Sequence, residues 1–144
     1  MGIMRKLKSA ALAAALTAAG GGAWAQGAGG GLKNGYRAVT LPVAQHQLAF
    51  IKAGGRVDVL VTFEAILPKG TREMVTATIL QNVLVLAVGV VGAEGAVQLA
   101  LNPNEAQYAA LAVDPKKSLW LIARAPGDEE MHPMEMASFR KLFR

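Results

Sequence analysis

A chain of 144 residues, 53% hydrophobic, 17% charged and 6% aromatic, is long enough for one well-buried domain, too short for two, and too apolar to stay disordered. It has no cysteine and two histidines, which excludes disulfide frameworks, CxxC redox motifs, thiolate zinc sites and cysteine nucleophiles. The formal charge of +5 is concentrated at the start: Arg5, Lys6 and Lys8 are three of the fifteen basic residues, and the 12 basic and 10 acidic residues that follow are too nearly balanced to point to nucleic acid or another polyanion.

Those three charges precede an uncharged Ala/Leu run over residues 9–19, and Ala23-Trp24-Ala25 sets small residues three and one positions before Gln26. Charge, apolar run and small-residue site in this order read as a secretory signal peptide over residues 1–25, cleaved between Ala25 and Gln26. The competing reading is an uncleaved inner-membrane anchor, because the uncharged stretch to residue 25 approaches spanning length. Only two leucines serve such a span, and Gly20-Gly21-Gly22 would weaken it. Export without cysteine fits a bacterial periplasm, where disulfides are permitted but not required. Residues 26–35 hold Gly27, Gly29, Gly30, Gly31 and Gly35 and read as a flexible lead. They are too short and too poor in lysine for a phosphate loop, and no strand precedes them.

From Tyr36 the pattern turns to short β-like segments. Residues 36–41 form a first candidate strand, stopped by Pro42 and expected at an edge. Residues 56–63 alternate, with Val57, Val59, Val61 and Phe63 on one face and Arg56, Asp58 and Thr62 on the other. Residues 74–88 are too long for one average strand, and Gln81-Asn82 supplies a bend or bulge in the middle, giving two arms of one bent strand or two strands. The second arm, 83–88, is apolar on both faces and is expected at the centre of the fold. Residues 96–101 return as a strand with Val97, Leu99 and Leu101 on one side. Asn102-Pro103-Asn104-Glu105 then starts a helix with a capping box and an N1 proline. Ala106, Ala109, Ala110 and Val113 repeat on its inner face, and Asp114-Pro115 ends it. Residues 118–124 make the last strand, with Trp120 read as core. After Pro126-Gly127 an acidic stretch leads to a tail, residues 128–144, in which Met136, Phe139, Leu142 and Phe143 recur at helical spacing. That tail reads as a short amphipathic helix, or as a frayed or folded-back terminus.

Little in this pattern supports catalysis. Ser118 and Ser138 lie in no nucleophile motif, His46 sits in a polar Gln45-His46-Gln47 loop, and His132 precedes Pro133. No catalytic, cofactor-binding or metal-ligating residue is assigned, and no cofactor is expected. Asp58 and Arg56 are expected to form solvated cross-strand pairs with neighbours such as Arg72 or Glu73.

Three blocks in order carry a resemblance. Gly35-Tyr36-Arg37-Ala38-Val39-Thr40-Leu41-Pro42-Val43, Gly55-Arg56-Val57-Asp58-Val59-Leu60-Val61-Thr62 and Leu80-Gln81-Asn82-Val83-Leu84-Val85-Leu86-Ala87-Val88-Gly89 resemble the C-terminal domain of the Flp pilus assembly family CpaB/RcpC. Val97-Gln98-Leu99-Ala100-Leu101, the capped helix and the Pro126-Gly127-Asp128 ending fit the same pattern. The resemblance covers residues 35–128. Family members usually place a membrane anchor and a β-clip (SAF) domain before these blocks, whereas here the leader runs through the glycine lead straight into them. Ala53-Gly54-Gly55 stands where the family typically has Pro-Gly-Asp.

The expected fold is therefore a small β-rich single domain of the α+β class over residues 36–127, β-clip-like, with one capped helix between the last two strands. The resemblance implies a non-catalytic periplasmic component of tight-adherence pilus assembly. Its expected partners are the outer-membrane secretin, other pilus-assembly proteins or a second copy of the chain, with at most peripheral membrane contact after cleavage. Candidate contact residues are Tyr36, Met136, Phe139, Leu142 and Phe143. The alternative is a periplasmic module binding peptidoglycan or another polysaccharide, with Trp120 or Tyr36 as a stacking platform.

Overall fold

The computed structural model describes residues 23–26 and 31–143; residues 1–22 of the leader reading and residues 27–30 of the glycine lead lie outside the described residues. In chain order come β1 (Ala23–Gln26), β2 (Arg37–Val43), a 3-10 helix (Gln45–Phe50), β3 (Arg56–Ile66), β4 (Arg72–Val91), β5 (Glu94–Leu101), α1 (Pro103–Ala112), β6 (Ser118–Ala123), β7 (Ala137–Ser138) and α2 (Phe139–Leu142). The strands form one antiparallel sheet of order β2-β5-β4-β3-β6, with β1 and the two-residue β7 added along β4. The chain is thus a small, mostly β domain, and its capped helix falls before β6, the last strand of the main sheet.

Alternation decides what each strand buries. Val57, Val59 and Val61 of β3, Val97, Leu99 and Leu101 of β5 and Leu121 of β6 are buried, and Ala109 and Ala112 of α1 are buried with them. The capping box forms as the sequence implies: Asn102 Oδ1 accepts from the Glu105 N–H at 2.9 Å, and Glu105 Oε2 accepts from the Asn102 N–H at 2.8 Å. The helix stops at Ala112, so Val113 has left the helical path, with ψ 71°, and is exposed instead of facing inward. β2 runs through Pro42 to Val43, past its expected end, because an outer strand has one neighbour and tolerates a proline.

The 3-10 helix covers Gln45, His46 and Gln47, which the sequence leaves as loop. Its Gln47 amide meets the outer edge of β6: Nε2 donates to the Leu119 carbonyl at 3.0 Å, and the Leu121 N–H donates to Oε1 at 2.9 Å. Gly95 admits this crossing, since a Cβ there would lie 2.7 Å from Leu48 Cδ1 and 3.1 Å from the Val43 carbonyl oxygen. The turn before β3 persists without the family's proline and acid. Gly54 takes φ 84° there, and its N–H donates to the Val85 carbonyl at 2.8 Å.

β4 is one bent strand, not two, and its bulge lies at the expected dipeptide. Val57 pairs with Val83 and Val59 with Leu80, leaving Gln81 and Asn82 opposite Asp58 alone. Asn82 takes φ 56°, a left-handed conformation that asparagine tolerates better than most residues. Side chains of β3 satisfy the backbone freed there: the Asn82 N–H donates to Asp58 Oδ1 at 2.8 Å, and Arg56 Nη1 donates to the Asn82 carbonyl at 2.9 Å. Along one edge β4 meets β3 and then β1; along the other it meets β7 and then β5. Its second arm is central, but Val83, Val85 and Ala87 are buried while Leu84 and Leu86 are only half-buried. One face of this arm is therefore core and the other is partly open.

Leu99→Ala is expected to cost about 2–5 kcal/mol, as for a fully buried leucine, and Leu86→Ala distinctly less. Denaturant unfolding of the two variants measures the difference.

Candidate functional site

The sheet face opposite the core carries the outward half of the same alternation. Leu60 and Thr62 of β3, Met74 and Thr76 of β4, and Trp120 and Ile122 of β6 line an open groove of about 660 Å³ there. Register places Leu60 opposite Trp120 and Thr62 opposite Thr76, whose hydroxyls bond at 2.8 Å. Trp120, expected in the core, is 43% exposed. Leu119 and Leu121 occupy the inward positions of β6, and α1 covers only the other face, so alternation sends the indole outward.

The tail supplies the rim. Met136, Phe139 and Leu142 line the groove, and Phe143, the next residue, is 86% exposed and is not among its lining residues. The expected helix over 136–143 is reduced to the single turn of α2, because Ala137 and Ser138 instead pair with Thr76 and Val75 as β7. Tyr36 is separate from these residues: it borders a smaller recess with Lys33, Arg56, Asn82 and Glu105. Three of the five candidate contact residues are thus brought together at the groove, Phe143 follows them in the chain, and Tyr36 marks another surface. Ala25 and Gln26, the expected processing pair, lie in β1 opposite Val88 and Ala87.

What fixes the tail is a residue the sequence did not single out. The Arg124 side chain, 4% exposed, bridges Asp58 (Nη1 to Oδ1, 2.8 Å) and Asp128 (Nη2 to Oδ1, 3.0 Å). Its Nε donates to the Asp128 carbonyl at 3.1 Å, and Nη2 also donates to the Glu130 carbonyl. Beyond this clamp, Gln81 Nε2 donates to the His132 carbonyl at 2.8 Å, and Oε1 accepts from the His132 N–H at 3.1 Å. The expected pairing of Asp58 and Arg56 with Arg72 or Glu73 is corrected: Arg72 binds Glu64 at 3.1 Å, Glu73 lies 3.8 Å from Arg140, and Arg56 lies 3.7 Å from Glu129. Register explains it, since Arg72 faces Ile66 at the far end of β3, whereas β6 delivers Arg124 just past Asp58. The available signal was polar residues at unexpected places: Asp58 among alternating valines, Asn82 inside an apolar run, and Asp128 after the last strand.

The hydrogen bond from Arg124, then that from the Glu130 N–H, holds the Asp128 carboxyl below its ordinary value. Bonds to Asp128 and then Asp58 raise the guanidinium. Chemically, the site offers apolar area beside fixed charges. Among the described residues no group of three or more His, Cys, Asp or Glu is placed to hold a metal, and no helix is long and apolar enough to cross a membrane.

In comparison with known proteins, a family model described as Flp pilus assembly protein RcpC/CpaB matches residues 29–126. The fit takes in Asp58, Asn82 and Arg124 and leaves the tail outside. No curated protein and no solved structure matches the chain.

Asp128, with its folded-state pKa depressed, contributes stability that is complete above its ordinary value of 3.8 and is lost as pH falls through the lower folded value. Thermal melts should therefore show an acid loss of stability beginning near pH 4, and Asp128→Asn should flatten part of it while lowering the melting temperature at neutral pH.

Proposed function

The chain belongs to the Flp pilus assembly family RcpC/CpaB, and on that premise we propose that it is an exported, non-catalytic assembly component of the periplasm that acts by protein contact beside the outer-membrane secretin. The carrying observation is the groove. Trp120 and Ile122 sit in it about half exposed, and Phe139 and Leu142 stand at its rim more than two-thirds exposed. Large apolar side chains gathered on one open face are stabilised when a partner covers them. The outer edge of β2, starting beside Tyr36, offers strand addition as a second mode. A secretin, another pilus-assembly protein or a second copy of the chain meets this chemistry.

Export rests on the tripartite leader. Cleavage after Ala25 would remove three of the four β1 residues, those opposite Val88, Gly89 and Val90; among the described residues that remain, no helix is long and apolar enough to cross a membrane. The exported protein should have the intact mass of a chain beginning at Gln26. Recovery of the full-length chain in the inner membrane would overturn this and make the leader an anchor.

Crosslinking in the native envelope should recover a secretin or another pilus-assembly protein, and Phe139→Asp with Phe143→Asp should weaken that recovery while leaving the melting transition nearly unchanged. The polysaccharide alternative draws on the half-exposed Trp120 indole. Peptidoglycan fragments recovered independently of the tail, and lost in a folded Trp120→Ala variant, would decide for it.

A further inference from the structure

The chain has four asparagines, Asn34, Asn82, Asn102 and Asn104. An asparagine side-chain carbon is open to attack by the backbone nitrogen of the residue that follows, so the state of that nitrogen decides which asparagine can react. After Asn102 it belongs to Pro103, which has no N–H to lose. After Asn104 it belongs to Glu105, inside α1, whose N–H donates to Asn102 Oδ1 at 2.9 Å. After Asn82 it belongs to Val83, β-branched and buried, and Asn82 itself is pinned in the bulge by Asp58 and Arg56.

Asn34 differs in each respect. It is exposed, and the residue after it is Gly35, which places no side chain in the path of the attack. Among the described residues neither the Asn34 amide nor the Gly35 N–H has a hydrogen-bond partner. The turn around them is closed by the Tyr36 N–H, which donates to the Lys33 carbonyl at 3.1 Å. Gly35 takes φ 89° there, as the third residue of a type II turn must. Arg37 Nη1 adds an exposed bond to the Gly35 carbonyl at 3.0 Å. Reaching the attack geometry requires this turn to open, and exposed bonds outside the sheet open at little cost.

We propose that Asn34 is a site of spontaneous covalent modification, deamidation through a cyclic imide to aspartate and isoaspartate. The Gly35 nitrogen gives up its proton to water and attacks Asn34 Cγ; the new N–Cγ bond closes a five-membered imide, and the side-chain nitrogen leaves as ammonia. One water then opens the ring. Opening at Cγ leaves aspartate, and opening at the main-chain carbonyl leaves isoaspartate, so amide and water become carboxylate and ammonium with no other reactant. Either product sets a negative charge between Lys33 and Arg37, and isoaspartate adds one main-chain atom to the turn that leads into β2. In converted chains the entry to this edge strand, beside Tyr36, is charged and loosened. The site is independent of the partner-contact reading, because no step involves a partner.

The test incubates the whole exported chain in mildly alkaline buffer, with a free peptide spanning residues 33–37 as the clock, and follows each asparagine by peptide mass mapping and isoaspartyl methyltransferase labelling. Asn34 should convert at no less than about a tenth of the peptide's rate, since exposed bonds alone hold the turn, and faster as pH rises. Both products should appear, Asn82, Asn102 and Asn104 should stay intact, and amide exchange at Tyr36 should quicken in the converted chain. Asn34→Gln should stay unconverted with its melting transition unchanged. An intact Asn34 after the peptide has converted, or conversion at Asn82 or Asn104 that keeps pace with it, would overturn the assignment. Unaltered exchange at Tyr36 would overturn the loosening of β2. Conversion is read on the parent chain, so the outcome does not depend on how the variant folds.

Discussion

A guanidinium taken out of water has to find oxygen partners for its fixed fork of donors, and much of this domain's shape follows from where Arg124 finds them. Asp58 Oδ1 serves Arg124 and the Asn82 N–H together, and Asp128 takes the other arm. The exit from β6, the middle of β3, the bulge of β4 and the start of the tail are therefore specified together. A shift in any one of them would leave the Arg124 guanidinium, itself 4% exposed, or a backbone amide without its partner, which is costly where water has little access. The family match spans three of these segments, Asp58, Asn82 and Arg124, and ends two residues before the fourth, Asp128.

The second constraint is that one sheet is faced by one helix. α1 and the 3-10 helix lie over the core side, and the opposite side is left to the tail, which covers part of it with β7 and α2. The groove is what remains between the outward residues of β3, β4 and β6 and that tail. Two glutamine amides help finish the edges, Gln47 against β6 and Gln81 against the tail, each bonding a backbone N–H and a carbonyl as a neighbouring strand would. The apolar rim is thus held by polar fastenings at its ends.

What the sequence disclosed were features with local causes. The alternation of Val57, Val59 and Val61, the Asn102 capping box and the overlong run interrupted at Gln81-Asn82 all appear in the structure, since period, cap and bulge depend on residues close together in the chain. Contacts across the sheet were not legible. Arg124 and Asp58 are 66 residues apart, and only the β3–β6 register makes them neighbours. Trp120 was assigned to the core because alternation states which residues share a face, not which face another layer will cover. In the tail, helical spacing competed with an open strand edge on β4, and the edge took Ala137 and Ser138, leaving one helical turn.

The same clamp imposes an order of events. A chain threaded through a membrane N-terminus first brings out Asp58 and Asn82 long before Arg124 and Asp128, and β2 must wait for β5 just as β3 must wait for β6. With so many neighbours distant in sequence, closure of the sheet is deferred until nearly the whole polypeptide has emerged. Until then β3 has no β6, and the Arg124 node is unassembled. For the export proposed above, this topology would delay completion of the fold until the segment carrying Arg124 and Asp128 had crossed.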